Sequence, residues 1–383
     1  MPTFAEFIGN TPAVNQLRAA IASGRLPHSL ILAGPQGAGK YTLALMLAQA
    51  LNCERQPRVL SSEGLPLADF CGVCGSCERI GASQDLAARI EESLVAREAM
   101  REVDKKDTRV LIQTDPDVLV IPPDPPQLLI KLGQVRSLME GIYYRPGRNP
   151  SADGSPGQTR RKFYVFTSTG FMKEAANALL KVLEEPPDYA HIVILAENPG
   201  ELLPTIRSRC GMVRLGALPL ADIEAVLARH RPEWKPQQRS LVAALAQGAV
   251  GRAIGFDLAA YLAGRQDALL LLRNSLAEGD SDHTALFKMT ETYRAGADGA
   301  QKTTALLRAF SSLLEDVLLT HSGTPSLIRN VDIAPEIAGF AEASTFDWIE
   351  RAVRGLDQVE SGMRRNLLRS LSLDAYAAQL SRA

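Results

Sequence analysis

The chain has 383 residues, of which 46% are hydrophobic and 22% charged, with a formal net charge of −1 at pH 7. That length suggests two or three domains, the composition is that of an ordinary globular chain, and the charge balance excludes a global basic field that would draw the molecule to nucleic acid. No apolar stretch reaches membrane-spanning length, and Met1 to Gly9 carries Glu6 and lacks the apolar core of a signal peptide, so a cytoplasmic protein without membrane contact is expected.

The first 216 residues alternate strand-like and helix-like segments. Ser29 to Ala33 is short, apolar and followed by glycine, and reads as a buried strand. Thr42 to Leu51 is rich in Ala, Leu and Met without Gly or Pro, and reads as a helix. Ala87 to Arg109 is charged and reads as a solvated surface helix. Asp117 to Ile121 is a second strand, Pro122 to Pro126 a stiff extended link, and Arg145 to Arg161 a flexible loop rich in Pro, Gly and Arg. Lys162 to Phe166 and His191 to Leu195 are further strands, with a helix over Met172 to Glu185 between them. Such alternation predicts an α/β fold, a parallel sheet covered on both faces. From Leu218 to Phe256 the chain reads as short helices with a break at Arg231 to Pro236. Beyond it, Gln266 to Ala277, Lys302 to Thr320 and Phe346 to Arg382 fit helical periodicity alone.

Gly34-Pro35-Gln36-Gly37-Ala38-Gly39-Lys40 matches a phosphate loop up to its lysine, with a strand before it and a helix after it. Backbone N–H groups of Gly34, Gly37 and Gly39 would curl around phosphate oxygens, and Lys40 would meet the terminal phosphates. The next residue breaks the pattern. A hydroxyl that binds Mg²⁺ is expected there, and Tyr41 stands in its place. Thr42 is the nearest hydroxyl, but one helical step turns a side chain by roughly 100°. The second break is larger. The strand Lys162 to Phe166 should end in a metal-holding acid, yet Phe163 through Lys173 contains no carboxylate. Nucleotide hydrolysis by this chain is therefore not expected, while binding of ATP or ADP stays open.

Cys53, Cys71, Cys74 and Cys77 can supply four thiolates, which suits a structural, tetrahedral Zn²⁺ site in a module over about residues 53–80. An iron–sulfur cluster is the competing reading; the ferredoxin pattern places its next cysteine shortly downstream beside a proline, and here Glu78 to Gly81 follow, which favours zinc. Cys210 is the remaining thiol.

Beyond these motifs, Phe7-Ile8-Gly9-Asn10, Leu26-Pro27-His28-Ser29, the run Ala176 to Pro187 and Leu203-Pro204-Thr205-Ile206-Arg207-Ser208-Arg209-Cys210 resemble the clamp-loader branch of the AAA+ family. The resemblance is strong over roughly residues 5–85 and 160–255 and weak elsewhere. It implies an AAA+ P-loop domain over 1–216, a small helical lid over 217–262 and an all-helical collar for oligomerisation over 263–383. It implies as partners the gamma or tau motor subunits and the delta subunit of a bacterial DNA polymerase III clamp loader, with the sliding clamp and primer–template DNA reached through the complex. The missing acids match that family's non-hydrolysing stators, and the alternative is an ATP-hydrolysing gamma/tau-type subunit or another P-loop NTPase with an acid recruited from elsewhere. By the same resemblance, Arg209 in Ser208-Arg209-Cys210 is an arginine finger acting in trans, ahead of Arg207. Arg252 matches the second-sensor arginine of the lid, and Glu197-Asn198 lies where the first sensor is carried.

Overall fold

The computed structural model describes residues 3–149, 159–276, 284–294, 296–364 and 368–381. Two compact units are present, one of Met1–Leu218 with Ala249–Gly251, the other of Pro219–Gly248 with Arg252–Ala383.

The first unit holds β1 (Ser29–Ala33), β2 (Arg58–Leu60), β3 (Pro66–Ala68), β4 (Ile112–Asp115), β5 (Val118–Ile121), β6 (Lys162–Phe166), β7 (Ala190–Ala196) and β8 (Gly211–Arg214). Its helices are α1 (Thr11–Ala22), α2 (Lys40–Asn52), α3 (Gly75–Gly81), α4 (Leu86–Glu98), α5 (Glu102–Asp107), α6 (Leu132–Ile142), α7 (Lys173–Glu184) and α8 (Pro204–Arg207). Six strands form one sheet in the order β4-β5-β6-β7-β1-β8. All neighbours pair in parallel except β4, which runs antiparallel to β5 at the edge. β2 and β3 make a separate antiparallel hairpin.

Strand alternation shows why the sheet is buried twice. Leu30, Leu32, Phe163 and Val165 join the core shared with α1, α2 and α3. Ile31, Ala33, Tyr164 and Phe166 face the opposite way, into the core shared with α6 and α7. Each of the Leu, Ile, Val and Phe side chains among them contributes about 1.5–3 kcal/mol on burial, so the continuous apolar runs that signal these strands also hold the layers together.

Several expectations need correction. Residues 87–109 form two helices, because Arg101 between α4 and α5 is extended. Residues 122–126 do not run straight on: the Asp124 N–H donates to Leu129 O at 3.0 Å, and the Asp124 carboxylate, fully buried, accepts from Arg97 Nη1 at 2.8 Å. The chain turns there because a buried carboxylate needs partners brought from both sides. β4, β8 and the β2–β3 hairpin go beyond the sequence reading; they are short, and β8 is largely exposed, which removes the apolar signal. Positions 150–158 of the expected loop lie outside the described residues. Its base is anchored: Arg160, 7% exposed, pairs with Asp115 and, through Nε at 2.8 Å, with Asp117.

Asp115 is fully buried, and its second oxygen accepts from Arg79 Nε at 3.0 Å, tying α3 to the sheet edge. Removing one partner of a buried charged set leaves the others uncompensated. Asp115→Ala should therefore destabilise the first unit by about 3–5 kcal/mol in urea unfolding. A loss under about 1 kcal/mol would show that solvent reaches the cluster.

The second unit is helical: α9 (Leu220–His230), α10 (Pro236–Leu245), α11 (Val250–Ile254, whose first two residues belong to the first unit), α12 (Leu258–Ser275), α13 (Thr284–Glu291), α14 (Gly296–His321), α15 (Ala334–Ala343), α16 (Phe346–Arg364) and α17 (Arg369–Ser381). Asp257 caps α12 by accepting from Ala260 N at 2.9 Å, so this helix starts eight residues before Gln266, and position 263 falls inside it. Gly264 lets α12 approach α14 closely, since a Cβ there would lie 2.8 Å from the Ala305 carbonyl carbon. The span expected as one helix over 346–382 is two, α16 and α17. Asn330, fully buried, accepts from Tyr261 at 2.8 Å and donates to Asp316 at 2.7 Å, so the polar interior is paired. Among the described residues no helix is long and apolar enough to cross a membrane.

Candidate functional site

The phosphate loop joins β1 to α2. Gly37 and Gly39 stand at φ +82° and +85°, left-handed conformations that favour glycine, so the loop's sequence and its backbone agree. Gly34 N donates to Ala196 O of β7 at 3.0 Å, which fixes the loop's start against the sheet. The Lys40 ammonium is folded back and donates to the carbonyls of Gly34 (2.6 Å) and Pro35 (2.8 Å). Burial lowers the Lys40 pKa, and the nearby Glu197 carboxylate opposes that shift. Gly251 N donates to Gly37 O at 2.8 Å, bringing the 249–251 segment onto the loop.

Tyr41, where a metal-binding hydroxyl is expected, points elsewhere. Its hydroxyl donates to Ser83 O at 2.6 Å, just beyond α3, and burial raises its pKa. Ser83 in turn shares a 2.6 Å hydrogen bond with Thr114 of β4. The phenol thus ties the first turn of α2 to the cysteine module. Thr42 follows in that turn, half-buried. At the tip of β6, Phe166 is followed by Thr167 and Ser168, and the sheet order puts this tip beside β7 and one strand from the loop. The residues present do not fit a Mg²⁺–triphosphate site: the hydroxyl is committed and the strand-end acid is missing.

The cysteine module lies against α2. Cys53 follows the last turn of α2, Cys71 sits in the loop after the β2–β3 hairpin, Cys74 is the residue before α3 and Cys77 lies within it. The hairpin fills the long interval between Cys53 and Cys71. The four Sγ atoms lie within 4.8 Å of one another, close to the ~3.8 Å spacing of sulfurs around a tetrahedral ion with ~2.3 Å bonds. A hydrogen bond from the Cys77 thiol pulls the Cys53 thiol down to about 4, and that same hydrogen bond, together with burial, pushes Cys77 up. One thiolate is easily formed and the next is opposed, so a cation is what would let the whole set ionise. Backbone N–H groups of Cys71 and Gln56 also reach Cys53 Sγ, at 3.3 and 3.4 Å. The cluster could hold one metal ion. Arg18 to Asp69 (2.8 Å) and Gln49 to Cys77 O (2.8 Å) pin the module to α1 and α2.

Arg209 is exposed beside α8. Its Nη2 pairs with Glu184 at 2.7 Å and its Nη1 donates to Thr205 O at 2.9 Å. Arg207 is half-buried, and its Nε has no hydrogen-bond partner among the described residues. Arg252 belongs to the second unit, where it donates to Gln247 at 3.1 Å. Cys210 is partly buried, and burial pushes its thiol up to about 11. The sequence reading missed Glu184, Ser83 and the place of Glu197 beside Lys40. The Ala176 to Pro187 motif includes Glu184 and the first-sensor neighbourhood includes Glu197, while nothing in the sequence pointed toward Ser83.

Comparison with known proteins places the chain. It is similar to DNA polymerase III subunit tau of Escherichia coli, 28% identical over 283 residues, covering 73% of this chain and 34% of that protein. It is similar to subunit gamma/tau of Mycobacterium tuberculosis, 26% identical over 357 residues, covering 88% of this chain and 52% of that one. The chain thus spans about a third to a half of the length of these relatives. A solved DNA polymerase III gamma subunit-related protein of Thermotoga maritima aligns over 96% of this chain and 99% of its own at 18% identity, with a TM-score of 0.38. The family model described as DNA polymerase III, delta subunit, matches residues 9–219, more than half of the chain, and with the parallel AAA+ sheet and its phosphate loop this shows that the chain belongs to that clamp-loader family.

Proposed function

We propose that this chain is a non-hydrolysing clamp-loader subunit of the delta-prime type, a stator that lends Arg209 to the ATP site of a neighbouring subunit. One observation carries the reading: both groups that would hold Mg²⁺ are lost, because the Tyr41 hydroxyl is bonded to Ser83 O at 2.6 Å and β6 ends in Thr167 and Ser168. In this reading the gamma or tau motors and delta are its neighbours, and the clamp and primer–template DNA are engaged through the assembled ring in the cytoplasm. The cysteine module carries structural zinc, 217–262 serves as the lid with Arg252 as its sensor, and 263–383 as the collar.

A second reading is a gamma/tau-type motor subunit. The curated relatives named above are gamma or tau proteins, which favours it. The chemistry of this chain's own site opposes it, since phosphoryl transfer depends on a metal held by a hydroxyl and an acid. Turnover decides between them. The purified chain with Mg²⁺·ATP should release phosphate no faster than its Lys40→Ala variant. Robust Mg²⁺-dependent release that Lys40→Ala abolishes would establish the motor reading instead.

A further inference from the structure

Cys53 has to leave a helix to reach the other three thiols. It is the C-terminal cap of α2, with an extended backbone (φ −63°, ψ 131°), and it is fully buried. Carbonyls at the end of a helix have no intrahelical donor, and inside a protein each needs one from elsewhere. Asn52 O and Cys53 O are met by a single side chain: Asn149 Nδ2 donates to both, at 3.3 and 3.2 Å, from a position 5% exposed. On the other side of the same residue, the Cys53 sulfur accepts from Cys71 N and Gln56 N. The turn that aims Cys53 into the cluster is therefore held at its carbonyl by Asn149 and at its sulfur by the module.

Asn52, fully buried, makes a second tie. Its Oδ1 accepts from Arg161 N at 2.7 Å and its Nδ2 donates to Arg161 O at 3.1 Å, so one side-chain amide pairs with the backbone just before β6 as a neighbouring strand would. The two stems of the connection from α6 to β6 also hold each other, through Arg160 N to Gly147 O at 2.9 Å and the antiparallel bridge of Arg148 with Thr159. Both stems thus hang on the pair of residues at the end of α2 that includes the first cysteine. Resting on the reading of the module as a zinc site, we propose that Asn149 is a positioning residue for the ligand Cys53, and that metal in the module fixes the stems of the α6–β6 connection through Asn52 and Asn149. Hydrogen bonds just outside a metal's ligands orient those ligands, and losing one costs about 10–100-fold in metal affinity.

Zinc release from the full chain into excess chromophoric chelator, followed as a rate, gives the first test. Asn149→Ala, and Asn149→Asp, which keeps the shape but has no N–H to donate, should each release zinc at least about tenfold faster than the unaltered chain. Hydrogen exchange of the unaltered chain, with and without zinc, gives the second and needs no substitution. Amides at 159–161 should exchange faster once the metal is removed, while those at 163–166, inside the sheet, stay protected. Release within about twofold of the unaltered rate in both variants would leave Asn149 an anchor of the loop alone, and overturns the proposal. Stems that stay protected without metal, or that loosen only together with 163–166, overturn it too, and they decide the matter if the variants do not fold. A chain that takes up no zinc defeats the zinc reading itself. A chain that holds zinc and fails these tests defeats only the role of Asn149.

Discussion

Arg209→Ala should lower ATP turnover at the facing site of an assembled clamp loader by about a thousandfold or more, the scale on which arginine fingers act. Total turnover by the ring should fall only in part if other sites have fingers of their own. The side chain suits the role physically. A planar, permanently charged guanidinium can meet phosphate oxygens with two parallel hydrogen bonds, which a lysine ammonium cannot. Arg209→Lys should therefore rescue little. In the isolated chain Arg209 is held by Glu184 at 2.7 Å, with both side chains substantially solvent-exposed. Such a surface pair is worth about 0.2–1 kcal/mol, small enough for a neighbour's γ-phosphate to displace it. Folding, metal content and ring assembly of Arg209→Ala should accordingly match the unaltered chain. Arg207→Ala is the comparison and should leave turnover nearly intact, because that side chain is half-buried and its Nε faces protein. Unaltered DNA- and clamp-stimulated hydrolysis with Arg209→Ala would end the assignment.

The second large effect concerns the cysteines. The chain purified without chelator should carry one zinc per molecule by elemental analysis, and Cys74→Ser should lose it. Binding free energies for structural zinc reach about 10–16 kcal/mol in peptides that fold only with metal. The loss here should be smaller, since the module is also held by Arg18 to Asp69 and by Gln49 to Cys77 O. Several kcal/mol should still go, enough to lower the melting temperature of the first unit by many degrees. Protons compete with metal for thiolates, so acidification should release zinc and alkaline solution should retain it. Because Tyr41 ties α2 to Ser83 beyond α3, metal loss should also increase hydrogen exchange at the start of α2. Stoichiometric iron, or a metal-free chain with unchanged stability, would count against the zinc assignment.

The strands β1, β6 and β7, the helix after the phosphate loop, the four-cysteine set and the missing metal acids were all legible in the amino-acid order. Each depends on near neighbours: an apolar run, glycines at fixed offsets, C-x-x-C spacing, or the absence of any carboxylate over one short stretch. Helix ends were less legible, as α12 shows. Its start is set by the Asp257 cap, eight residues before the segment that reads as helical from its periodicity. What only the tertiary structure decided are pairings between distant residues. Tyr41 finds Ser83, Asp115 finds both Arg79 and Arg160, Arg209 finds Glu184, and Glu197 comes to lie by Lys40. None of these follows from local periodicity, because each requires the strand order β4-β5-β6-β7-β1-β8 to exist first. A tyrosine after the loop lysine reads in sequence only as a lost hydroxyl. Folded, the same phenol is a strut between the phosphate loop and the cysteine module, since a buried O–H must find an acceptor and the nearest one is contributed by another part of the chain.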